Sequence, residues 1–168
     1  MTLLKTLADL AAFYAAHPRV SVLFFDTETT GKYNWRLPVA DRTQPRIVQI
    51  ACQLVDHDDR ALGAAALLLR PADWTIPPEA TAVHGWTDTD CQLYGVPAKV
   101  ALATWGWLTD SAGLLVAYNA DFDIKLLQVE ADRIGRGDPF GPDRPCVVFD
   151  PMPAATPICR LPRPADAS

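Results

Sequence analysis

Apolar positions along this 168-residue chain change their period several times, and each change marks an element. Val20 to Phe25 (VSVLFF) is rich in β-branched and aromatic residues and too short for a helix, which predicts a buried strand. Arg46 to Asp56 (RIVQIACQLVD) and Ala61 to Arg70 (ALGAAALLLR) flank the polar turn His57-Asp58-Asp59-Arg60 and predict an antiparallel hairpin. Leu3, Leu7, Leu10 and Tyr14 share one helical face, predicting a helix over Thr2 to Ala16 that Thr2 caps and His17-Pro18 ends. Helical spacing returns from Pro97 to Asp110, through Val100, Ala101, Thr104 and Leu108. It returns again from Asp121 to Ile134, where Ile124, Leu127, Ala131 and Ile134 align and Gly135 is placed to terminate the helix. Leu114 to Ala117 and Cys146 to Asp150 are short apolar runs that predict two further strands.

The intervening stretches lack a period. Gly31 to Pro45 reads as a long excursion, a kind of loop that is uncommon in compact domains and often functional. Pro71 to Pro97 predicts loops with at most one short helix, around Pro78 to His84. Eight of the fifteen prolines fall between Pro139 and Pro164, so residues 151 to 168 are expected to be an irregular tail. No internal repeat is present. A hairpin followed by strand-helix-strand alternation predicts one α/β domain over residues 1 to 168, with a core from about 20 to 150 and a mixed sheet covered by helices.

A hydrophobic content of 49% is enough for a real core. The net charge of -5 and sequence pI near 5.0 exclude a broad basic footprint of the repressor or histone kind, but not an enzyme that holds nucleic acid through metal ions and local contacts. Cys52, Cys91, Cys146 and Cys159 match neither a zinc knuckle nor a CxxC pair and read as reduced thiols. With no membrane-length apolar run and no signal-peptide pattern, the expected setting is the cytoplasm, away from membranes.

Chemistry concentrates at the end of the first predicted strand, in FDTETTG. Asp26 and Glu28 are two residues apart, so an extended chain puts both carboxylates on one face, about 6 to 7 Å apart along the strand, with Thr27 opposite. Alone, Asp-x-Glu is most often a polar strand end. Two acids at a buried strand end repel, and a hard divalent ion with oxygen ligands, Mg or Mn, relieves that repulsion. Tyr118-Asn119-Ala120-Asp121-Phe122-Asp123 follows the Leu114 to Ala117 strand and opens the next helix. If the two strands are parallel neighbours, both segments end on one sheet edge, and Asp123 joins the first two acids from a first helical turn whose dipole favours a carboxylate. Asp121 is expected to cap that helix.

FDTETTG, IVQIA, IPPEATAVHGWT and YNADFD, in this order, resemble the DEDD-type 3'-to-5' exonucleases, and among them the proofreading (epsilon) subunits of bacterial DNA polymerase III and their phage-like relatives. The resemblance covers most of Val20 to Leu161 and implies a ribonuclease H-like fold with a five-stranded mixed sheet. It implies two divalent ions, Mg or Mn, held by Asp26, Glu28 and Asp123, with Asp26 shared between them. It implies that backbone around Thr29, Thr30 and Gly31 lies against the terminal sugar, that Asn119 supports the second acidic motif, and that His84 lies near bound nucleotide. Tyr118 stands where many members carry His. The family's third motif, His-x-x-x-x-Asp, supplies the general base and a fourth acid, and this sequence contains no such string; His17, His57 and His84 read as structural or surface residues. The implied function is a metal-dependent 3'-to-5' exonuclease domain, shortened at its C-terminus, without that helix and of low activity. Single-stranded DNA or RNA 3' ends are its implied substrates and a DNA polymerase its implied partner. The alternative is a non-catalytic nucleic-acid-end or polymerase-associated module. Trp35, in the excursion, is the best base-stacking candidate among the five tryptophans.

Overall fold

The computed structural model describes residues 1–141 and 146–159. Its elements are β1 (Thr2–Leu4), α1 (Leu7–Ala16), β2 (Val22–Thr29), β3 (Ile47–Val55), β4 (Ala61–Leu68), α2 (Pro78–His84), α3 (Asp88–Tyr94), α4 (Ala98–Asp110), β5 (Leu114–Val116), α5 (Ala120–Arg133), β6 (Val147–Phe149) and α6 (Pro151–Cys159). The strands form one sheet in the order β1-β6-β5-β2-β3-β4. β1, β6, β5 and β2 run parallel, while β3 is antiparallel to both β2 and β4. The mixed α/β architecture agrees with the sequence reading, but the sheet has six strands, not five.

The sixth strand is β1, and it corrects the expected N-terminal helix. Thr2, Leu3 and Leu4 pair with Val147, Val148 and Phe149. The helix starts later because Thr6 and Asp9 form a reciprocal capping box, so Thr6, not Thr2, is its cap. Two further corrections concern short helices. Pro71 to Pro97 contains α3 as well as α2, begun by a second capping box between Thr87 and Asp90. The segment after Asp150, expected to be irregular, is helical to Cys159; residues 160–168 of that expected tail lie outside the described residues. Pro151 and Pro153 fall in its first turn, where backbone N–H groups have no intrahelical acceptor, so a missing donor costs little there.

One face of the sheet packs on α4 and α5, burying Phe25, Ile50, Cys52 and Leu54 against Leu102, Trp105, Leu108, Ile124 and Leu127. On the other face, Leu10 and Phe13 of α1 and Ala154 of α6 meet Val22, Leu114 and Phe149. The β2-β3-β4 part of that second face holds an open cleft of about 500 Å³ lined by Phe24, Asp26, Ala51, Gln53, Ala64 and Ala66.

The excursion after Gly31 is held from within. Buried Gln44 donates to the carbonyls of Asn34 (2.9 Å) and Leu37 (3.3 Å) and accepts the Asn34 N–H at 3.0 Å. Fully buried Glu130 of α5 accepts from Arg46 Nε at 2.8 Å, Arg133 Nη1 at 3.1 Å and the Ile47 N–H at 3.2 Å, which ties the start of β3 to α5.

A candidate active site at the end of the central strand

β2 runs unbroken through the acidic motif, so Asp26 and Glu28 are strand residues, paired with Ala51 and Gln49 of β3. Exposure alternates along β2. Leu23, Phe25 and Thr27 are buried, while Phe24 is 47% exposed and shares its open face with Asp26. On the other side of β2, β5 stops at Val116 opposite Phe24. The Thr27 N–H on that side therefore has no ladder partner, and Asp123 supplies one. Its Oδ1 accepts the Thr27 N–H at 3.0 Å and the Thr27 hydroxyl at 2.6 Å. The second acidic motif is thus anchored at the middle residue of Asp-Thr-Glu.

The turn from β5 into α5 fixes where Asp123 begins its approach. Asn119 takes a left-handed conformation (φ 60°, ψ 47°) that short polar side chains tolerate. Buried Asp150, directly after β6, accepts the N–H groups of Asn119 (3.0 Å) and Ala120 (3.2 Å), and that of Met152 at 2.9 Å. Asp150, not Asp121, therefore serves the start of α5. Asp121 is in the first turn and stands 3.8 Å from Lys5 at the surface. Sequence reading missed Asp150, although an Asp directly before Pro-Met-Pro is a helix-start signal.

All three acids have raised pKa values. Burial pushes Asp26 up. Burial and then the Asp26 charge push Glu28 up, against a downward pull from His84. Asp123 rises to about 7, chiefly through burial and with help from Asp26, although the Thr27 hydroxyl pulls the other way. A cluster of desolvated carboxyls that feel one another is the donor chemistry that suits a hard divalent cation. Among the described residues, no three His, Cys, Asp or Glu side chains are grouped closely enough to hold a metal ion. Asp26, Glu28 and Asp123 therefore fit such an ion in the kind of donor they offer, while their side chains are not grouped as a ligand set.

The remaining site residues are distributed around this point. The Thr29 hydroxyl donates to the Gly31 carbonyl at 2.9 Å, and Thr30 and Arg46 exchange two hydrogen bonds, each 2.9 Å. A Cβ at Gly31 would meet nothing within 4 Å, so space above this backbone is open. His84 ends α2, and its Nδ1 accepts the Trp86 N–H at 3.1 Å. His17 stacks on Phe13, and His57 stands 3.4 Å from Asp58 in the β3-β4 turn. Trp35 is 61% exposed and packs edge-to-face on Tyr33, while Trp105 is core.

Residues 23–146 match the RNase T family model, described as Exonuclease. The chain belongs to this exonuclease family. It is 29% identical over 117 residues to the DNA polymerase III subunit epsilon of Treponema pallidum (strain Nichols), a match covering 70% of this chain and 49% of that protein. Its fold is similar to that of E. coli exonuclease I solved with a dA16 oligonucleotide, with a TM-score of 0.65 and 22% identity over 79% of this chain and 28% of that one. A product-bound exonuclease I gives a TM-score of 0.68 at 22% identity, over 89% of this chain and 34% of that one. The chain spans about half the length of the curated relative and about a third of these solved chains. No described helix is long and apolar enough to cross a membrane.

Proposed function

We propose that this chain is a metal-dependent 3'-to-5' exonuclease domain acting on single-stranded nucleic-acid ends in the cytoplasm, with Asp26, Glu28 and Asp123 as its catalytic, metal-binding carboxylates. The observation that supports this reading is the anchoring of Asp123 on Thr27, the residue between Asp26 and Glu28, with the pKa of all three carboxyls raised. Two ions, Mg or Mn, would supply charge neutralisation on the attacking and leaving oxygens of the phosphodiester and help ionise the attacking water. Asp26, whose charge acts on both other acids, suits a shared ligand; Glu28 and Asp123 suit one-sided ones. Thr29, Thr30 and Gly31 offer backbone and open space to the terminal sugar, with His84 and Asn119 flanking it. The oligonucleotide bound to exonuclease I favours DNA as the substrate, and the epsilon relative favours a DNA polymerase as partner.

The sequence holds no His-x-x-x-x-Asp string, so the reading assigns this chain little turnover by itself. A positioned general base contributes about 10²- to 10⁴-fold. That same observation favours a second reading, a module that binds 3' ends without cutting them. A 3'-labelled single-stranded oligonucleotide incubated with Mn separates the two. Slow release of nucleoside monophosphate that Asp26→Asn abolishes supports the nuclease, and binding with no release supports the module. Release unaffected by Asp26→Asn rejects the site.

A further inference from the structure

The excursion between β2 and β3 starts at Gly31, three residues after Glu28, and its ends are pinned together by the paired hydrogen bonds of Thr30 and Arg46. Inside it, Asn34 to Leu37 forms a tight turn. The Leu37 N–H donates to the Asn34 carbonyl at 3.1 Å, and the Arg36 N–H donates to Asn34 Oδ1 at 3.0 Å. Gln44 grips the same turn through the Asn34 N–H and carbonyl and the Leu37 carbonyl. Trp35 and Arg36 therefore stand at the two corners of a braced turn, and both are exposed. The Trp35 ring meets Tyr33 in a T-shaped contact with centroids 4.9 Å apart, so at 61% exposure at least one of its faces is open.

Charge is uneven here. Gly31 to Pro45 holds three of the fifteen Lys and Arg residues, Lys32, Arg36 and Arg42, but only one of the twenty Asp and Glu residues, Asp41. All three cations are exposed, and none forms an ion pair among the described residues. The loop is thus a positive spot on an acidic protein, and it carries an open aromatic face. An exposed tryptophan alone says little. A fixed ring beside cations that lack carboxylate partners is what an unpaired base and its flanking phosphates require.

We propose that the Asn34–Leu37 turn is a contact surface for single-stranded nucleic acid: Trp35 stacks on one base, and Arg36 and Lys32 take the phosphates beside it. The assignment rests on the nuclease reading for the strand as ligand, but it uses no metal ion. Because the turn is braced before any ligand arrives, little order has to be created on binding.

A fluorescein-labelled single-stranded oligodeoxynucleotide, titrated in EDTA and followed by anisotropy, tests this surface apart from any cation. Trp35→Ala should weaken binding about 5- to 150-fold, the worth of one base–aromatic stack, and Trp35→Tyr, which keeps a stacking ring, should retain most of the affinity. Lys32→Ala and Arg36→Ala should each lower the slope of log affinity against log salt by about 0.7, the share of one phosphate contact on a single strand. A duplex of the same sequence, its bases already stacked on one another, should bind more weakly than the single strand. The proposal is overturned by unchanged affinity in Trp35→Ala, by equal losses in the Ala and Tyr variants, or by unaltered salt slopes in both cation variants. It is equally overturned by a wild type that binds the duplex as well as the strand, or that binds neither in EDTA. Release of nucleoside monophosphate in Mn that depends on Asp26 reads the nuclease assignment separately, and its absence rejects that assignment whatever Trp35 does.

Discussion

Thr27 gives both its backbone N–H and its hydroxyl to one carboxylate oxygen of Asp123, 96 residues away. Thr27 therefore links the two acidic motifs while its neighbours Asp26 and Glu28 are left to other partners. The link is a neutral one, so it holds Asp123 in place without cancelling its charge.

That bond makes the pH dependence of folding specific. Asp123 has its pKa raised from an ordinary 3.8 to about 7, mainly by burial, so the folded state binds its proton more tightly than the unfolded chain. Its contribution is fully present below pH 4 and is lost as pH climbs toward 7. Asp123→Asn keeps an Oδ1 acceptor for Thr27 and cannot ionise. Urea melts at pH 4.5 and 7.5, without divalent ions, should show the wild type losing more stability than Asp123→Asn over that interval. Parallel losses would show that Asp123 titrates normally.

Divalent ions should reverse the same penalty. Mn at about 100 times its dissociation constant adds about 2.7 kcal/mol of stability, or roughly 5 to 11 °C in melting temperature for a chain of this size. Differential scanning fluorimetry of the wild type should show that gain at neutral pH, and Asp26→Asn should show little of it. An equal gain in both would place the ion elsewhere.

Binding of nucleic acid should follow the cation too. With a net charge of -5, the protein has no overall attraction for a polyanion. A fluorescent single-stranded oligonucleotide should bind more tightly in Ca than in EDTA by anisotropy, and Glu28→Gln should narrow the difference. The same affinity in both buffers would point to a basic groove instead.

Glu130 tests the support beneath the site. Truncating one member of a buried ion pair leaves the other charges unpaired and costs about 3 to 5 kcal/mol. Glu130→Ala should lower stability on that scale, since Arg46 and Arg133 both lose their shared carboxylate. Chemical denaturation measures it, and a loss under about 1 kcal/mol would mean the two arginines are fully served by Asp73 and the carbonyls of Pro45 and Gln44.

The main strands and the long helices were legible because their signals are local. The β-branched run before Asp26, the hairpin halves around His57 to Arg60, and the apolar stripe from Ile124 to Ala131 each fall within one window. β1 was not legible because Leu3 fits the helical face of Leu7 and Leu10 as well as it fits a strand. Its pairing with Val148 settles the choice, and nothing near Leu3 encodes that. α3 has only seven residues and depends on a Thr-x-x-Asp box instead of a hydrophobic stripe. Asp26, Glu28 and Asp123 stand out by their motifs, and the bonds of Asp123 to Thr27 bring the second motif to the first. Glu130, Arg46, Arg133 and Gln44 do not stand out, because each finds its partners across long sequence distances and carries no local pattern of its own.

Strand order also dictates the timing of assembly. β2, β3 and β4 are joined by short-range contacts and can form a meander early, but β1 waits for Val147 to Phe149 before it has anything to pair with. At about 5 to 20 residues per second, a ribosome extends the chain from β5 to β6 in roughly 2 to 7 s. Throughout that interval the apolar edge at Leu114 to Val116 has no neighbour on the side that β6 will occupy. The nascent chain thus passes through a stage at which Asp26 and Glu28 are already set on β2 while one flank of the sheet is an open apolar edge, the kind of edge that invites pairing with another chain.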